Sequence, residues 1–155
     1  MNDIEKHIYF MNEAIQQAKL ALMINEVPVG AVIVFDGKVI ASGFNKRESN
    51  HDPLGHAEIY AIKEASALLG TWRLNGCQLY CTLEPCLMCA GAIVLSRLDS
   101  VIFASKDPKA GAFGSIANIL DIKGLNHYPN VIAGVCQPEA SELLSDFFRN
   151  LRKSG

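Results

Sequence analysis

Apolar residues near the start of the chain recur at steps of three and four, which is the spacing of an amphipathic α-helix. They are Ile4, Ile8, Met11, Ile15, Ala18 and Leu22. This pattern predicts a helix over residues 3–25, with Asp3 as its N-terminal cap. Similar patterns predict three further helices, over residues 56–69, 86–95 and 138–152. The last of these is expected to begin at Pro138, and Gly70 is expected to end the second.

Five apolar runs have the length of β-strands and lie between or beside these helices. They span residues 29–35, 38–43, 78–82, 100–104 and 131–135. Asp36-Gly37 separates the first two runs and predicts a tight antiparallel hairpin. The later strands alternate with helices, which predicts two right-handed β–α–β crossovers and parallel neighbouring strands. The sequence therefore predicts one α/β domain covering residues 1–155.

Two polar, turn-rich segments interrupt this pattern, at residues 44–55 and 105–114. The first leads into His56. The second follows a strand, and open α/β sheets commonly bind ligands beyond the carboxyl ends of their strands. A short helix is predicted just after it, over residues 115–120. Trp72 and Leu74 are expected to pack in the connection after the second helix.

Composition limits the classes of protein that remain. The chain has 155 residues, of which 50% are hydrophobic and 19% charged, as in a globular domain. It contains no apolar run long enough for a membrane span and no signal-peptide core at its N-terminus. Five cysteines without a disulfide pattern favour a reducing compartment, and hence the cytoplasm. The net charge of −2 means that any nucleic-acid-binding surface must be local.

The strongest chemical signal is a set of three potential metal ligands, His56, Cys86 and Cys89. Nitrogen and sulfur donors of this kind suit zinc. Cys86 and Cys89 would share one face of a helix start, with Pro85 at the first helical position. His56 is expected at the start of its helix in non-helical geometry, with Glu58 in the first turn. Three ligands leave a position for water, and Glu58 is the natural group to move its protons.

Each half of this pattern is weak by itself. A histidine two residues before a glutamate is usually a surface helix start, and a lone Cys-x-x-Cys pair is equally consistent with redox chemistry. Together, about 30 residues apart, they form the known signature of zinc-dependent nucleobase deaminases. The other cysteines, Cys77, Cys81 and Cys136, are expected to be small buried residues.

The chain as a whole resembles the bacterial tRNA-specific adenosine deaminases. The resemblance lies in Glu26-Val27-Pro28-Val29-Gly30-Ala31-Val32, Asp52-Pro53, His56-Ala57-Glu58, Thr71-Trp72-Arg73-Leu74, Thr82-Leu83-Glu84-Pro85-Cys86, Met88-Cys89-Ala90-Gly91-Ala92, Asp107-Pro108-Lys109, Leu125-Asn126-His127 and residues 143–148. It implies a three-layer α/β/α fold around a five-stranded mixed sheet, assembled as a homodimer. It also implies conversion of adenosine to inosine at the wobble position of a tRNA anticodon, chiefly in an arginine tRNA.

The same resemblance assigns roles to individual residues. His56, Cys86 and Cys89 would hold one Zn²⁺ per subunit, and Glu58 would carry protons during catalysis. Asn45 would read the base, although its position alone favours a turn residue. The residues expected to contact the anticodon loop are Asp107, Lys109, Asn126, Phe148 and Arg152. The chain departs from the usual family pattern at Leu54-Gly55, beside the pocket, and at Phe113, in the RNA-facing loop.

Two other functions are compatible with the same residues. A deaminase of a free base or nucleoside, such as guanine or a cytosine derivative, would need the same zinc and Glu58. A zinc module that only binds RNA or protein would need no catalytic carboxylate, and would be expected to close its metal site with a fourth ligand.

Overall fold

The computed structural model describes residues 1–154. Within these residues there are four α-helices and five strands. The helices are α1 (Asp3–Met23), α2 (Ala57–Leu69), α3 (Leu87–Leu95) and α4 (Gln137–Ser154). The strands are β1 (Gly30–Phe35), β2 (Lys38–Phe44), β3 (Cys77–Leu83), β4 (Ser100–Ser105) and β5 (Asn130–Ala133).

The strands form one mixed sheet in the order β2-β1-β3-β4-β5. Strand β1 is antiparallel to both of its neighbours, and β3, β4 and β5 are mutually parallel. The predicted hairpin and the β3–α3–β4 crossover are therefore confirmed. The prediction that the β2–α2–β3 crossover joins neighbouring strands is wrong, because β1 lies between them. Strand β1 is buried on both faces over residues 30–34, which suits an interior position.

Helices cover both faces of the sheet, which confirms the three-layer architecture. Helices α2 and α3 pack on one face, where Ala57, Ala61 and Ile93 join the larger apolar core. Helices α1 and α4 cover the other face, where Met11 and Ala140 meet the opposite side of the strands. None of the helices within residues 1–154 is both long and apolar enough to cross a membrane.

Asn2 is the N-cap residue of helix α1. The Asn2 side-chain oxygen accepts a hydrogen bond from the Glu5 backbone N–H at 2.8 Å. The prediction of Asp3 as the cap is therefore wrong, since Asp3 is already the first helical residue. Further along, α1 lies directly on Gly30, where an added Cβ would come within 2.2 Å of the Ala14 carbonyl oxygen.

The second half of the chain differs from prediction at element ends. The predicted helix over residues 115–120 is absent, and a single 3₁₀ turn occupies Ile119–Asp121. Strand β5 ends at Ala133, and α4 begins one residue before Pro138 and continues to Ser154. Short-range signals do not fix these boundaries, because β5 is set by its pairing with β4.

Several predictions about buried residues hold and others do not. Leu74, Cys77 and Cys81 are buried as predicted, whereas Cys136 is only half-buried. Trp72 is 56% exposed. The guanidinium groups of Arg73 and Arg97 lie 4.9 and 5.5 Å from its ring centre. The expected packing of Trp72 in the connection is thus replaced by stacking at the surface.

Candidate active site

The N-terminus of α2 places His56 and Glu58 at one end of the sheet. His56 is the N-cap residue, with extended backbone angles (φ −89°, ψ 148°), as predicted. Glu58 lies in the first turn of the helix. The first N–H of this helix, on Ala57, donates to Asn45 Oδ1 at 2.9 Å. Asn45 therefore ties the end of β2 to the start of α2, beside both residues.

The N-terminus of α3 places the two cysteines opposite. Cys86 is the N-cap residue in extended geometry (φ −72°, ψ 177°), and Cys89 lies three residues further on. The prediction that Pro85 occupies the first helical position is wrong, because the helix begins at Leu87. Cys86 nevertheless lies at the helix N-terminus, where unpaired N–H groups and the helix dipole favour a thiolate.

The three donor atoms have a spacing that fits zinc. His56 Nδ1 lies 3.5 Å from both Cys86 Sγ and Cys89 Sγ. All three donor atoms fall within 4.8 Å of one another. Tetrahedral zinc, with Zn–N near 2.05 Å and Zn–S near 2.3 Å, requires an N···S separation of about 3.6 Å. Within residues 1–154 this cluster has three members, so the donors fit a site that leaves one position for water.

The protonation of this cluster also suits a cation. A hydrogen bond from Cys89, assisted by His56, lowers the pKa of Cys86 to about 4 despite burial. The hydrogen bond to Cys86 and burial raise the pKa of Cys89. The hydrogen bond to Cys86 raises the pKa of His56. Cys86 is thus held as a thiolate while Cys89 keeps its proton, and a divalent cation would replace that proton as the partner of the thiolate.

Glu58 is buried beside these donors, with only 3% of its surface exposed. Burial raises its pKa, because a low-dielectric environment disfavours the carboxylate. A carboxyl group with a raised pKa exchanges a proton more readily near neutral pH than an ordinary glutamate does. Its burial beside the donors makes Glu58 a candidate proton carrier.

A cavity of about 780 Å³ opens over His56, Glu58 and Cys86. It brings together five of the residues predicted to bind substrate: Asn45, Asp107, Lys109, Phe148 and Arg152. Asn45 is 8% exposed, and because its Oδ1 is engaged by Ala57, its amide nitrogen is the group left to face the cavity. The arrangement can surround a planar heterocycle and place it against Glu58 and the donor atoms.

Comparison with known proteins agrees with this geometry. The MafB19-like deaminase family matches residues 4–152. The tRNA-specific adenosine deaminase of Bacillus subtilis is 50% identical over 144 residues, covering 93% of this chain and 89% of that protein. The tRNA-specific adenosine deaminase of Aquifex aeolicus is 49% identical over 152 residues, covering 94% and 96%. The chain belongs to the tRNA-specific adenosine deaminases. A solved structure from work on A-to-I editing by tRNA:A34 deaminases at the wobble position superposes with a TM-score of 0.85 at 41% identity, covering 88% of this chain and 99% of the other.

One residue expected at the substrate site of this deaminase lies elsewhere in the chain. Asn126 is exposed and does not line the cavity. The next residue, His127, has its Nε2 2.6 Å from the Leu98 carbonyl oxygen, just before β4 begins. The cavity lies at the carboxyl end of β3 and β4, so Asn126 is at the opposite end of the sheet. Within a single chain the structure does not bring it to the site.

Three cations that line the cavity were missed by sequence reasoning. Arg47, Lys106 and Arg149 join Lys109 and Arg152 around its rim. Each is close in sequence to a residue that was predicted, which is the signal that could have identified them. These five side chains form a local basic rim on a chain whose net charge is −2. The expectation that a basic surface must be local therefore agrees with the structure.

Two buried carboxylates hold the loops on either side of the cavity. Glu26 Oε1 accepts hydrogen bonds from the N–H and hydroxyl of Ser49, in the loop that follows β2. Glu84 accepts several from the loop that follows β4. Burial alone would raise the pKa of Glu84, but hydrogen bonds from Ser115, Asp107 and Phe113 outweigh it and lower the pKa.

The residues that depart from the family pattern do not touch the donors. Leu54 is exposed, and neither it nor Gly55 lines the cavity. Phe113 is buried and packs against Phe103, with ring centres 6.5 Å apart. Asp107, expected to contact RNA, also has a local role, because its Oδ1 accepts from the N–H groups of Lys109 and Ala110.

Proposed function

We propose that this chain hydrolyses adenosine to inosine at the wobble position of a tRNA anticodon, with an arginine tRNA as its principal substrate in the cytoplasm. The observation that carries the proposal is the meeting of three N/S donors and a buried glutamate beneath a cavity with a basic rim. The relatives from Bacillus subtilis and Aquifex aeolicus are named as tRNA-specific adenosine deaminases, which supports the proposal.

We infer that His56, Cys86 and Cys89 hold one zinc ion per subunit. Bound zinc supplies a Lewis acid that makes water nucleophilic at neutral pH. The donor set and its 3.5 Å spacing support zinc over magnesium or calcium, which prefer oxygen ligands.

Glu58 moves the protons of the reaction. Its carboxylate accepts a proton from water as the water oxygen bonds to purine C6, and it passes that proton to the adjacent ring nitrogen. It then relays the second water proton to the amino group, so the C6–N bond breaks and ammonia leaves. Adenosine and water thus become inosine and ammonia, with Glu58 returned to its starting state.

The remaining cavity residues position the RNA. The amide nitrogen of Asn45 donates to the base edge, and the ring of Phe148 offers a surface for stacking. Lys109 and Arg152 face the phosphates on either side, and Asp107 shapes the loop that carries Lys109. Asn126 is left out of this set because it lies at the far end of the sheet. An unpaired anticodon base enters without the cost of opening a duplex.

We also propose a homodimer formed through α3 and through Ile116 in the loop that follows β4. Leu87, Leu95 and Ile116 are 62%, 70% and 57% exposed in the single chain. A Cβ added at Gly91 in the same helix would meet no atom within 4 Å beyond its chain neighbours and the backbone of its own helix. An exposed apolar helix with small residues allows a second copy to approach closely. Leu95→Glu should give a monomer in sedimentation velocity, and an unchanged dimer would place the interface elsewhere.

The activity is tested with purified protein and an unmodified arginine tRNA carrying adenosine at the wobble position. Digestion and mass spectrometry should detect inosine with the wild type and not with Glu58→Ala, while both retain zinc. A tRNA with guanosine at that position is the control. Absence of inosine from folded, zinc-loaded wild type would overturn the tRNA assignment, and release of ammonia from free guanine would then favour the free-base alternative.

The metal assignment has its own test. Cys86→Ala should lose zinc by elemental analysis, whereas Cys136→Ala should keep it, because Cys136 lies outside the donor cluster. Full zinc occupancy in Cys86→Ala would contradict the assignment.

A further inference from the structure

Glu84 is a buried carboxylate that the proposed chemistry does not use. It follows directly after β3, two residues before Cys86, and only 2% of its surface is exposed. Among residues 1–154, no cationic side chain forms an ion pair with it. Burying an unpaired carboxylate is costly unless hydrogen bonds replace its lost hydration.

Those hydrogen bonds all come from the loop that follows β4. Glu84 Oε1 accepts from the Asp107 N–H at 3.1 Å and from the Ser115 hydroxyl. Glu84 Oε2 accepts from the Phe113 N–H at 3.0 Å and the Ser115 N–H at 3.2 Å. One side chain therefore fixes both ends of the segment from residue 107 to residue 115.

The middle of the same loop closes over the carboxylate. A Cβ added at Gly111 would lie 2.3 Å from Glu84 Cδ, so a larger residue there would displace the carboxylate from its hydrogen bonds. The neighbouring Ala112 N–H donates to the Pro85 carbonyl at 2.9 Å, and Gly111 pairs with Cys86 as an isolated bridge. The loop is thus fastened to the segment that supplies a metal ligand.

This loop also forms one wall of the cavity, through residues 106–110. These residues carry two of the five cations of the basic rim. The position of the wall relative to the metal ligands is consequently set by Glu84 and by the two backbone contacts beside it.

We propose that Glu84 is a positioning residue that holds the loop of residues 106–115 in register with the metal-ligand segment, and thereby sets the affinity for RNA. The inference rests on the proposed function, since RNA is the ligand that this wall is taken to contact. Both carboxylate oxygens are needed as acceptors. A glutamine has the same shape but would turn an N–H₂ group towards backbone N–H donors.

Two variants test the contact from opposite sides, Glu84→Gln and Gly111→Ala. In hydrogen–deuterium exchange, both should raise the exchange of residues 106–115 selectively and leave β3 and β4 protected. With the arginine tRNA, KM should rise about tenfold or more, because the loop that carries Lys106 and Lys109 loses the hydrogen bonds that hold it in place. The kcat should change by less than about threefold, and zinc content should stay at one per chain.

Glu26→Gln is the matched control, because Glu26 is also buried and holds the opposite loop through Ser49. It should loosen residues 46–55 and leave residues 106–115 unchanged. Ser115→Ala, which removes one donor only, gives a milder test if the other variants fold poorly, and should loosen the same loop to a smaller degree.

The results of these experiments distinguish a positioning role of Glu84 from a general structural role. Wild-type exchange in residues 106–115 together with an unchanged KM would overturn the positioning role. Loss of zinc with increased exchange throughout the domain would also overturn it, by showing a general structural role. If wild type fails to deaminate tRNA but Glu84→Gln and Gly111→Ala selectively loosen the loop, the proposed function falls and the positioning role of Glu84 stands.

Discussion

At the scale of single residues, the fold requires that position 30 carry no side chain. Helix α1 approaches β1 so closely there that an added Cβ would meet the Ala14 carbonyl oxygen at 2.2 Å and the Ala18 nitrogen at 2.4 Å. Both atoms belong to the backbone of a helix and cannot rotate away. The glycine is therefore required by the contact between layers and not by its own backbone angles.

Gly30→Ala should lower the free energy of unfolding by about 3 kcal/mol, because α1 must shift away from the sheet. Urea denaturation followed by circular dichroism measures the loss. A variant with wild-type stability would mean that α1 is free to move on the sheet.

Tyr80 is a buried residue whose hydroxyl lies 2.8 Å from His7 Nδ1. Burial, followed by the charge of Asp3, raises the pKa of Tyr80 to about 12. The neutral side chain therefore stabilises the fold fully below about pH 10, and this contribution is lost as the pH rises towards 12. Between these values, the stability advantage of wild type over Tyr80→Phe should shrink by on the order of 2 kcal/mol.

Urea midpoints at pH 9, 10, 11 and 12, chosen to span that window, would measure the difference. Tyr9→Phe, which alters a half-exposed tyrosine on α1, is the control. A constant difference between wild type and Tyr80→Phe across the series would contradict the raised pKa.

At the scale of elements, the start of α1 distinguishes two neighbouring candidates for its cap. Asn2→Ala removes the hydrogen bond to the Glu5 N–H and should cost about 1 kcal/mol. Asp3→Ala removes only a favourable charge in the first turn and should cost less than about 0.5 kcal/mol. Thermal denaturation of both variants provides the comparison, and a larger loss in Asp3→Ala would restore Asp3 as the cap.

The elements that sequence predicts well are those with local causes. The hairpin follows from Asp36-Gly37, and the placement of His56 at a helix start follows from its spacing to Glu58. The insertion of β1 between β2 and β3 has no local signal, because it depends on pairing between residues about 50 apart in the chain, such as Ala31 and Cys81. Trp72 was assigned to packing by residue type, but the stacking of Arg73 and Arg97 on its ring satisfies it at the surface.

The residues of the site also differ in whether a local sequence signal identifies them. His56, Cys86, Cys89 and Glu58 come from short motifs, so their meeting in space could be predicted from sequence. The role of Glu84 could not, because its partners lie 23 to 31 residues away on another loop. Asn126 was assigned to the site from the family pattern, yet the chain places it at the other end of the sheet.

At the scale of the whole molecule, positive charge is concentrated at one cavity although the net charge of the chain is negative. The chain carries −2 overall, yet Arg47, Lys106, Lys109, Arg149 and Arg152 surround one cavity. Binding of a polyanion at this rim should release counterions and so depend on salt, whereas the rest of the surface should contribute little.

Lys109→Ala should lower the slope of log Kd against log salt concentration by about 0.7 if Lys109 contacts one phosphate of the loop. Fluorescence anisotropy with a labelled anticodon stem-loop at several salt concentrations measures the slope. Lys19→Ala, on the exposed side of α1, is the matched control and should leave the slope unchanged. Equal slopes for wild type and Lys109→Ala would remove Lys109 from the interface.

The interior position of β1 also bears on the order in which the chain folds. Strands β1 and β2 are joined by two residues and can pair early, but β3 must close a long loop before it reaches β1. His56 lies before that closure and Cys86 and Cys89 lie after it, so the donors meet only when the central pairing is complete. Metal uptake should therefore follow the slow step of refolding, and a chain stalled before that step would have two thiols exposed to oxidation.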